Sequence, residues 1–206
     1  MERVIAYVDG FNLYFGMKSK GWRRYYWLNV PQLAQALLKP GQQLVLTKYF
    51  TSRVSATPGE PDKASRQDVY LRALATLPNL TIYYGQYLRR RIVCRNCRIS
   101  WDVHDEKMTD VNISVEMLSD AFQDRFDTAL LISGDSDLSG AVEAVQRLFP
   151  SKRVAVAFPP DRTSVRLRLV ASGWLVIGRR KLALSQFPEI VAASGGHVLL
   201  RPPSWR

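Results

Sequence analysis

Five polar residues have the types and spacing to do chemistry: Asp9, Asn12, Asp110, Asp135 and Asp137. Each stands where an apolar run gives way to a helix start, or on the first turn of that helix. In an α/β sheet such positions gather beyond the carboxyl ends of the strands, where ligands bind. Carboxylates crowded at one edge repel one another unless a cation lies between them. Oxygen donors without His or Cys suit Mg²⁺ or Mn²⁺ rather than Zn²⁺. Such an ion can activate water for attack on a phosphodiester and stabilise the leaving oxygen.

Taken singly, each residue has a plainer reading. Asp9-Gly10 is a common turn pair, and Asn12 sits where Asn often caps a helix. Asp110 shares a helical face with Ile113, Met117, Leu118 and Ala121, the stripe expected to pack on the sheet. A carboxylate at the head of that stripe either caps its own helix or points inward for a reason. Asp135 and Asp137, in Ser133-Gly134-Asp135-Ser136-Asp137, follow the apolar run Ala129 to Ile132. An N-cap role explains one of the two but not both.

The elements that must position these residues alternate along the chain. Short β-rich runs predict strands over Arg3 to Val8, Leu44 to Phe50, Leu80 to Tyr84, Thr128 to Ile132, Arg153 to Phe158 and Trp174 to Ile177. Helices are expected over Phe11 to Lys18, Val30 to Leu38 with Asn29 as cap, Asp62 to Leu77, Asp110 to Phe122, Asp137 to Phe149 and Arg162 to Ala171. Ala56 to Pro61 reads as a loop. The fold class is therefore α/β, with a mostly parallel central sheet of five to six strands and helices on both faces. With no internal repeat and no low-complexity linker, residues 1–206 read as one domain. Its core spans about 3–178, with an Arg- and Cys-containing hairpin or loop inserted at about 86–107 and an irregular extension at about 179–206.

The chain carries 29 basic and 18 acidic residues, a formal net charge of +11. That excess favours polyanions, nucleic acid first and anionic membrane second. Basic clusters occur at Arg23-Arg24, Arg89-Arg90-Arg91 and Arg179-Arg180-Lys181, with Arg162, Arg166 and Arg168 close in sequence. A lipidation motif, a basic amphipathic helix and an apolar stretch of about 18 residues are all lacking, so no membrane partner is expected. The start runs straight into a strand-like segment without a signal-peptide layout, and the chain reads as cytoplasmic.

Three segments resemble the NYN domain family, of the LabA/DUF88-like kind, within the PIN-like ribonuclease superfamily. They are Tyr7 to Tyr14, containing Asp9 and Asn12; Lys107 to Asn112, containing Asp110; and Leu131 to Leu138, containing Ser133, Asp135 and Asp137. The resemblance spans roughly Val4 to Ile177. It implies a PIN-like Rossmannoid three-layer sandwich and a metal-dependent ribonuclease site. Asp9, Asp110, Asp135 and Asp137 would be the Mg²⁺ or Mn²⁺ ligands, Asn12 would orient Asp9, and RNA would be the substrate.

Cys94 and Cys97 form half of a zinc knuckle, which needs two further ligands. His104 offers a third, and a homodimer sharing one zinc would complete the set. Two reduced thiols and a reversible disulfide stay open beside zinc. Trp22, Tyr25, Tyr26 and Trp27, beside Arg23-Arg24, read either as a stacking platform for single-stranded bases or as a core edge or dimer contact. Two other functions compete with a ribonuclease. One is an RNA-binding or scaffold protein of the same fold without turnover. The other is a Toprim-like phosphotransfer enzyme, which expects a Glu where Asp9 stands and leaves Asp110 unexplained. Dinucleotide, Walker A and nucleophile-elbow motifs are missing.

Overall fold

The computed structural model describes residues 1–56 and 59–206, and of residues 86–91, 101–107 and 194 the backbone alone. Two residues of the expected Ala56–Pro61 loop, the side chains of Arg89 to Arg91 and that of His104 therefore lie outside the described residues.

In chain order the elements are β1 (Glu2–Asp9), α1 (Gly10–Ser19), α2 (Val30–Leu37), β2 (Gln42–Thr51), α3 (Lys63–Leu74) and β3 (Leu80–Tyr84). Then come β4 (Gln86–Val93), β5 (Ser100–Lys107), α4 (Thr109–Phe122), β6 (Thr128–Ile132), α5 (Ser139–Leu148) and β7 (Arg153–Phe158). The chain ends through α6 (Val165–Val170), β8 (Gly173–Val176), α7 (Arg179–Leu184), β9 (Ile190–Ala192) and β10 (Val198–Leu200). One six-stranded sheet, ordered β3-β2-β1-β6-β7-β8, is parallel at every pairing. β4 and β5 form the antiparallel hairpin expected of the insertion.

Side chains alternate across a strand, and the core divides accordingly. Val4, Ala6 and Val8 of β1 and Leu130 and Ile132 of β6 pack with Leu13, Leu33, Leu71 and Leu182, so α1, α2, α3 and α7 cover one face. Ile5, Tyr7, Ala129 and Leu131 pack with Ile113, Met117, Val142, Val145 and Leu167, which places α4, α5 and α6 on the other. β1 and β6 are central and covered on both faces, which is why they read as continuous apolar runs.

One buried cation interrupts this packing. Lys48 of β2 is 1% exposed, and its Nζ lies 2.6 Å from Glu116 Oε2 and 2.5 Å from Asp120 Oδ2, both on α4. The Tyr7 hydroxyl donates to Asp120 at 2.6 Å and the Tyr83 hydroxyl to Glu116 at 2.8 Å. Burial works to lower the Lys48 pKa, but the hydrogen bonds it donates to Asp120 and Glu116 prevail and raise it. Glu116 is held below its ordinary value, because its bonds to Lys48 and Tyr83 outweigh its own desolvation. This network clamps α4, the helix that carries Asp110, to β2.

The last 28 positions differ from the irregular extension expected. α7 and the β9–β10 hairpin wrap back, and Leu182, Phe187, Val191, Leu199 and Trp205 join the core. The Trp27 indole N–H donates to the Pro188 carbonyl at 2.7 Å, and Trp205 packs edge-on against Tyr26 and Tyr70. Elements of three to six residues are too short to show a period, so contact with the Trp27 region rather than local pattern orders them. Tyr25, Tyr26 and Trp27 are buried, which makes the aromatic run a core edge. No helix among the described residues is long and apolar enough to cross a membrane.

Candidate active site at the carboxyl edge of the sheet

β1 and β6 run side by side with Val8 opposite Ile132, so the next residues, Asp9 and Ser133, leave the sheet at the same level. The Ser133 hydroxyl donates to Asp9 Oδ2 at 2.9 Å, and the Asn12 backbone N–H donates to Asp9 Oδ1 at 2.9 Å. Asp9, 5% exposed, thus caps α1 with one oxygen and ties β6 to β1 with the other. Asn12 completes the bridge, its side-chain oxygen accepting from the Gly134 N–H at 2.9 Å.

Two glycines allow this closeness. A Cβ on Gly10 would stand 2.6 Å from the Tyr49 ring and 2.8 Å from the Phe50 carbonyl. On Gly134 it would stand 2.8 Å from the Arg162 carbonyl group, so only glycine lets the β6 loop approach the segment after β7.

Beyond Gly134 the chain forms a 3-10 turn over Ser136–Leu138 before α5, where a continuous helix from Asp137 was expected. Asp135 caps that turn, accepting from the Asp137 N–H at 3.0 Å, while its own N–H donates to Ser133 Oγ at 3.0 Å. Of the two acids, Asp135 is therefore the cap, and Asp137 is exposed in the first turn.

Asp110 is the second residue of α4; the residue before the helix, Met108, gives no side-chain cap and sits in the left-handed region with φ 77°. Burial raises the Asp110 pKa, and the charges of Asp135 and Asp137 raise it further. All three carboxylates thus share one field.

Asp9, Asn12, Asp110, Asp135 and Arg162 line a cavity of about 200 Å³, with Phe11 and Phe15 also in its wall. Asp137 stands outside this lining. Arg162, exposed, brings a guanidinium suited to a phosphate oxygen. From the sequence Arg162 belonged to the basic clusters and to the head of an expected helix, whereas α6 begins only at Val165; Pro159-Pro160 ahead of it was the available signal that the chain turns there. Among the described residues no group of three or more His, Cys, Asp or Glu side chains stands as a ready-made metal seat. The donor set is nonetheless of the right chemistry: carboxylates at like-charge range, all hard oxygen, with an amide oxygen and a hydroxyl beside them.

Cys94 and Cys97 are free thiols in the turn joining β4 to β5, where the Arg98 N–H donates to the Cys94 carbonyl at 3.0 Å. The Cys94 thiol is lowered by hydrogen bonds from the Cys97 backbone, the Cys97 side chain and the Asn96 backbone.

The chain is 25% identical to 6-hydroxy-3-succinoylpyridine 3-monooxygenase HspA of Pseudomonas putida, over an alignment covering 98% of this chain and 75% of that one. The crystal structure of a protein of unknown function from Vibrio parahaemolyticus is similar in fold, with a TM-score of 0.54 at 21% identity, covering 86% of this chain and 94% of the other. The NYN domain profile matches residues 3–178. The chain belongs to the NYN domain family, a branch of the PIN-like nuclease superfamily.

Proposed function

We propose that the protein is a metal-dependent ribonuclease that hydrolyses RNA phosphodiester bonds at the cavity holding Asp9, Asp110 and Asp135. The observation that carries this reading is the meeting of three carboxylates from three separate segments in one small cavity beside Arg162. Asp9, Asp110 and Asp135, with Asp137 at the rim, would hold Mg²⁺ or Mn²⁺, which when bound supplies Lewis acidity toward a phosphoryl oxygen. Asp9 is held for that role by Ser133 and the Asn12 N–H, so its oxygens need little reordering. Asn12 fixes the Gly134 backbone and so the aim of Asp135. Arg162 would take a non-bridging phosphate oxygen, and the net charge of +11 draws the polyanion in.

A second reading has one observation in its favour. The Pseudomonas putida relative bears the name of a monooxygenase acting on a hydroxylated succinoylpyridine, which suggests a small aromatic substrate here as well. It leaves the acid cluster and the basic excess without a task, and it ranks second.

Incubating labelled single-stranded RNA with the protein and Mn²⁺, beside an Asp135→Asn variant, tests the first reading. Cleavage by the parent and loss of about 10²-fold or more in the variant is the expected result. Binding without cleavage by both proteins would leave an RNA-binding scaffold. A variant as fast as the parent would remove the site assignment.

A further inference from the structure

A second cavity, of about 530 Å³, opens on the other flank of α1. Phe11 and Phe15, one turn apart, border both cavities, with Asn12 facing the acids and Tyr14 and Lys18 facing the second space. Their rings stack at 23° with centroids 6.1 Å apart, and Phe15 stays 39% exposed. The walls are aromatic: Tyr14, Tyr26, Tyr49, Tyr70 and Trp205. Four basic side chains, Lys18, Arg23, Lys63 and Arg66, line it against two acidic ones, Glu60 and Asp62.

Burying a ring as exposed as Phe15 would be favourable, and the fold leaves it standing between a phosphate-sized acidic cavity and an aromatic one with a basic lining. Cations beside aromatic faces are the chemistry of a nucleotide, the base stacking and the phosphate pairing. We infer that the aromatic cavity receives one unstacked base of single-stranded RNA, beside the phosphate placed at the acid cavity. This inference rests on the ribonuclease reading for the position of that phosphate, but not for the presence of the base site.

Stacking on the aromatic wall would carry the binding. Gln67, the amide in the lining, is already committed: its oxygen accepts from the Val54 N–H and its nitrogen donates to the Ser52 carbonyl, each at 2.8 Å.

The test is fluorescence anisotropy with labelled RNA of about eight nucleotides in EDTA, so that binding is read without cleavage. The parent is compared with Phe15→Ala and with Ser204→Phe. Ser204 is exposed and lines the cavity, so a ring there fills the space without removing a core contact. Each variant is expected to weaken binding about tenfold, the scale of one stacked base. One abasic residue in the RNA should weaken binding to the parent similarly and add nothing in Phe15→Ala. Parent-like affinity in both variants, or an abasic series that is flat at every position, would overturn the inference. So would tight binding of a small aromatic carboxylate such as nicotinate that RNA fails to displace. Cleavage is scored separately in Mn²⁺. RNA bound through this cavity but never cut would remove the nuclease reading and leave the base site; RNA cut equally well with Phe15 or Ser204 replaced would do the reverse.

Discussion

Replacing Lys48 with Met should unclamp α4 from the sheet at a calculable cost. The side chains are similar in length, so packing is largely kept and the change isolates the charge. Without the ammonium, Asp120, whose side chain is 2% exposed, and Glu116, at 28%, face each other with Tyr7 and Tyr83 as the close donors among the described residues and Arg125 at 3.4 Å. Removing one partner of a buried ion pair costs about 3–5 kcal/mol. Because Glu116 can turn to solvent and Asp120 keeps its tyrosine bond, the lower end, about 3 kcal/mol, is expected. With a urea slope of about 2 kcal/mol per molar, the unfolding midpoint should fall by about 1.5 M.

The pH dependence has a definite sign. Lys48 is raised in the folded state, so its contribution is complete below the ordinary ammonium range of about 10.4 and is lost only as pH climbs through the folded value. Glu116 is lowered, so its contribution is complete above about 4.3 and is lost as pH falls through the folded value. In the variant, acid protonates Glu116, left without its ammonium, and relieves part of the penalty. The deficit against the parent should therefore shrink between neutral pH and about pH 4. Urea unfolding followed by circular dichroism at both pH values measures this. A deficit under about 1 kcal/mol at neutral pH, or one that does not change with pH, would refute the reasoning.

Other consequences are as direct. Asn12→Ala removes the acceptor of the Gly134 N–H and should lower RNA cleavage about 10- to 100-fold, as loss of outer-shell support does, while the melting temperature moves by only a few degrees; an unchanged rate would show that the bridge does not aim Asp135. Gly134→Ala must push its Cβ out of the Arg162 carbonyl and should lose more activity than Asn12→Ala, which a kinetic comparison of the two checks. Trp205→Ala should cost about 3–5 kcal/mol in chemical denaturation, because the ring fills the space among Tyr26, Trp27 and Tyr70; a loss under about 1 kcal/mol would mean that the carboxyl-terminal segment is not part of the core. Hydrogen bonds from Arg3 lower the Asp127 pKa to about 2, so the stability that Asp127 adds is present above the ordinary carboxylate range and lost as pH falls toward about 2. Asp127→Asn should be less stable than the parent at neutral pH and equal to it near that acid limit.

Much of this was legible in the chain. Leu80–Tyr84, Thr128–Ile132 and Arg153–Phe158 are strands at the bounds that their β-rich runs indicated; for the two interior strands among them, β6 and β7, the reason is that both faces of a covered parallel strand demand apolar residues. Asp9 was legible for the related reason that an apolar strand ending in Asp has no packing motive. What escaped was set by distant contacts. Lys48 sits between Thr47 and Tyr49 like any solvent-facing strand residue, and only its partners 68 and 72 positions later make it a buried cation. The 3-10 turn at Ser136–Leu138 was hidden because Asp135 and Asp137 are equally good caps in sequence. Geometry at Ser133 decided between them. The aromatic cavity drew residues from α1, β2, α3 and the final turn, a grouping that no local pattern carries.

The central claim, that Asp9, Asp110, Asp135 and Asp137 seat a divalent cation, is tested most directly by a crystal soaked in Mn²⁺ and measured for anomalous scattering. A peak bounded by Asp9, Asp110 and Asp135, absent from an Asp135→Asn crystal treated alike, is the result predicted. Manganese bound elsewhere, or no peak in that cavity at saturating Mn²⁺, would contradict it.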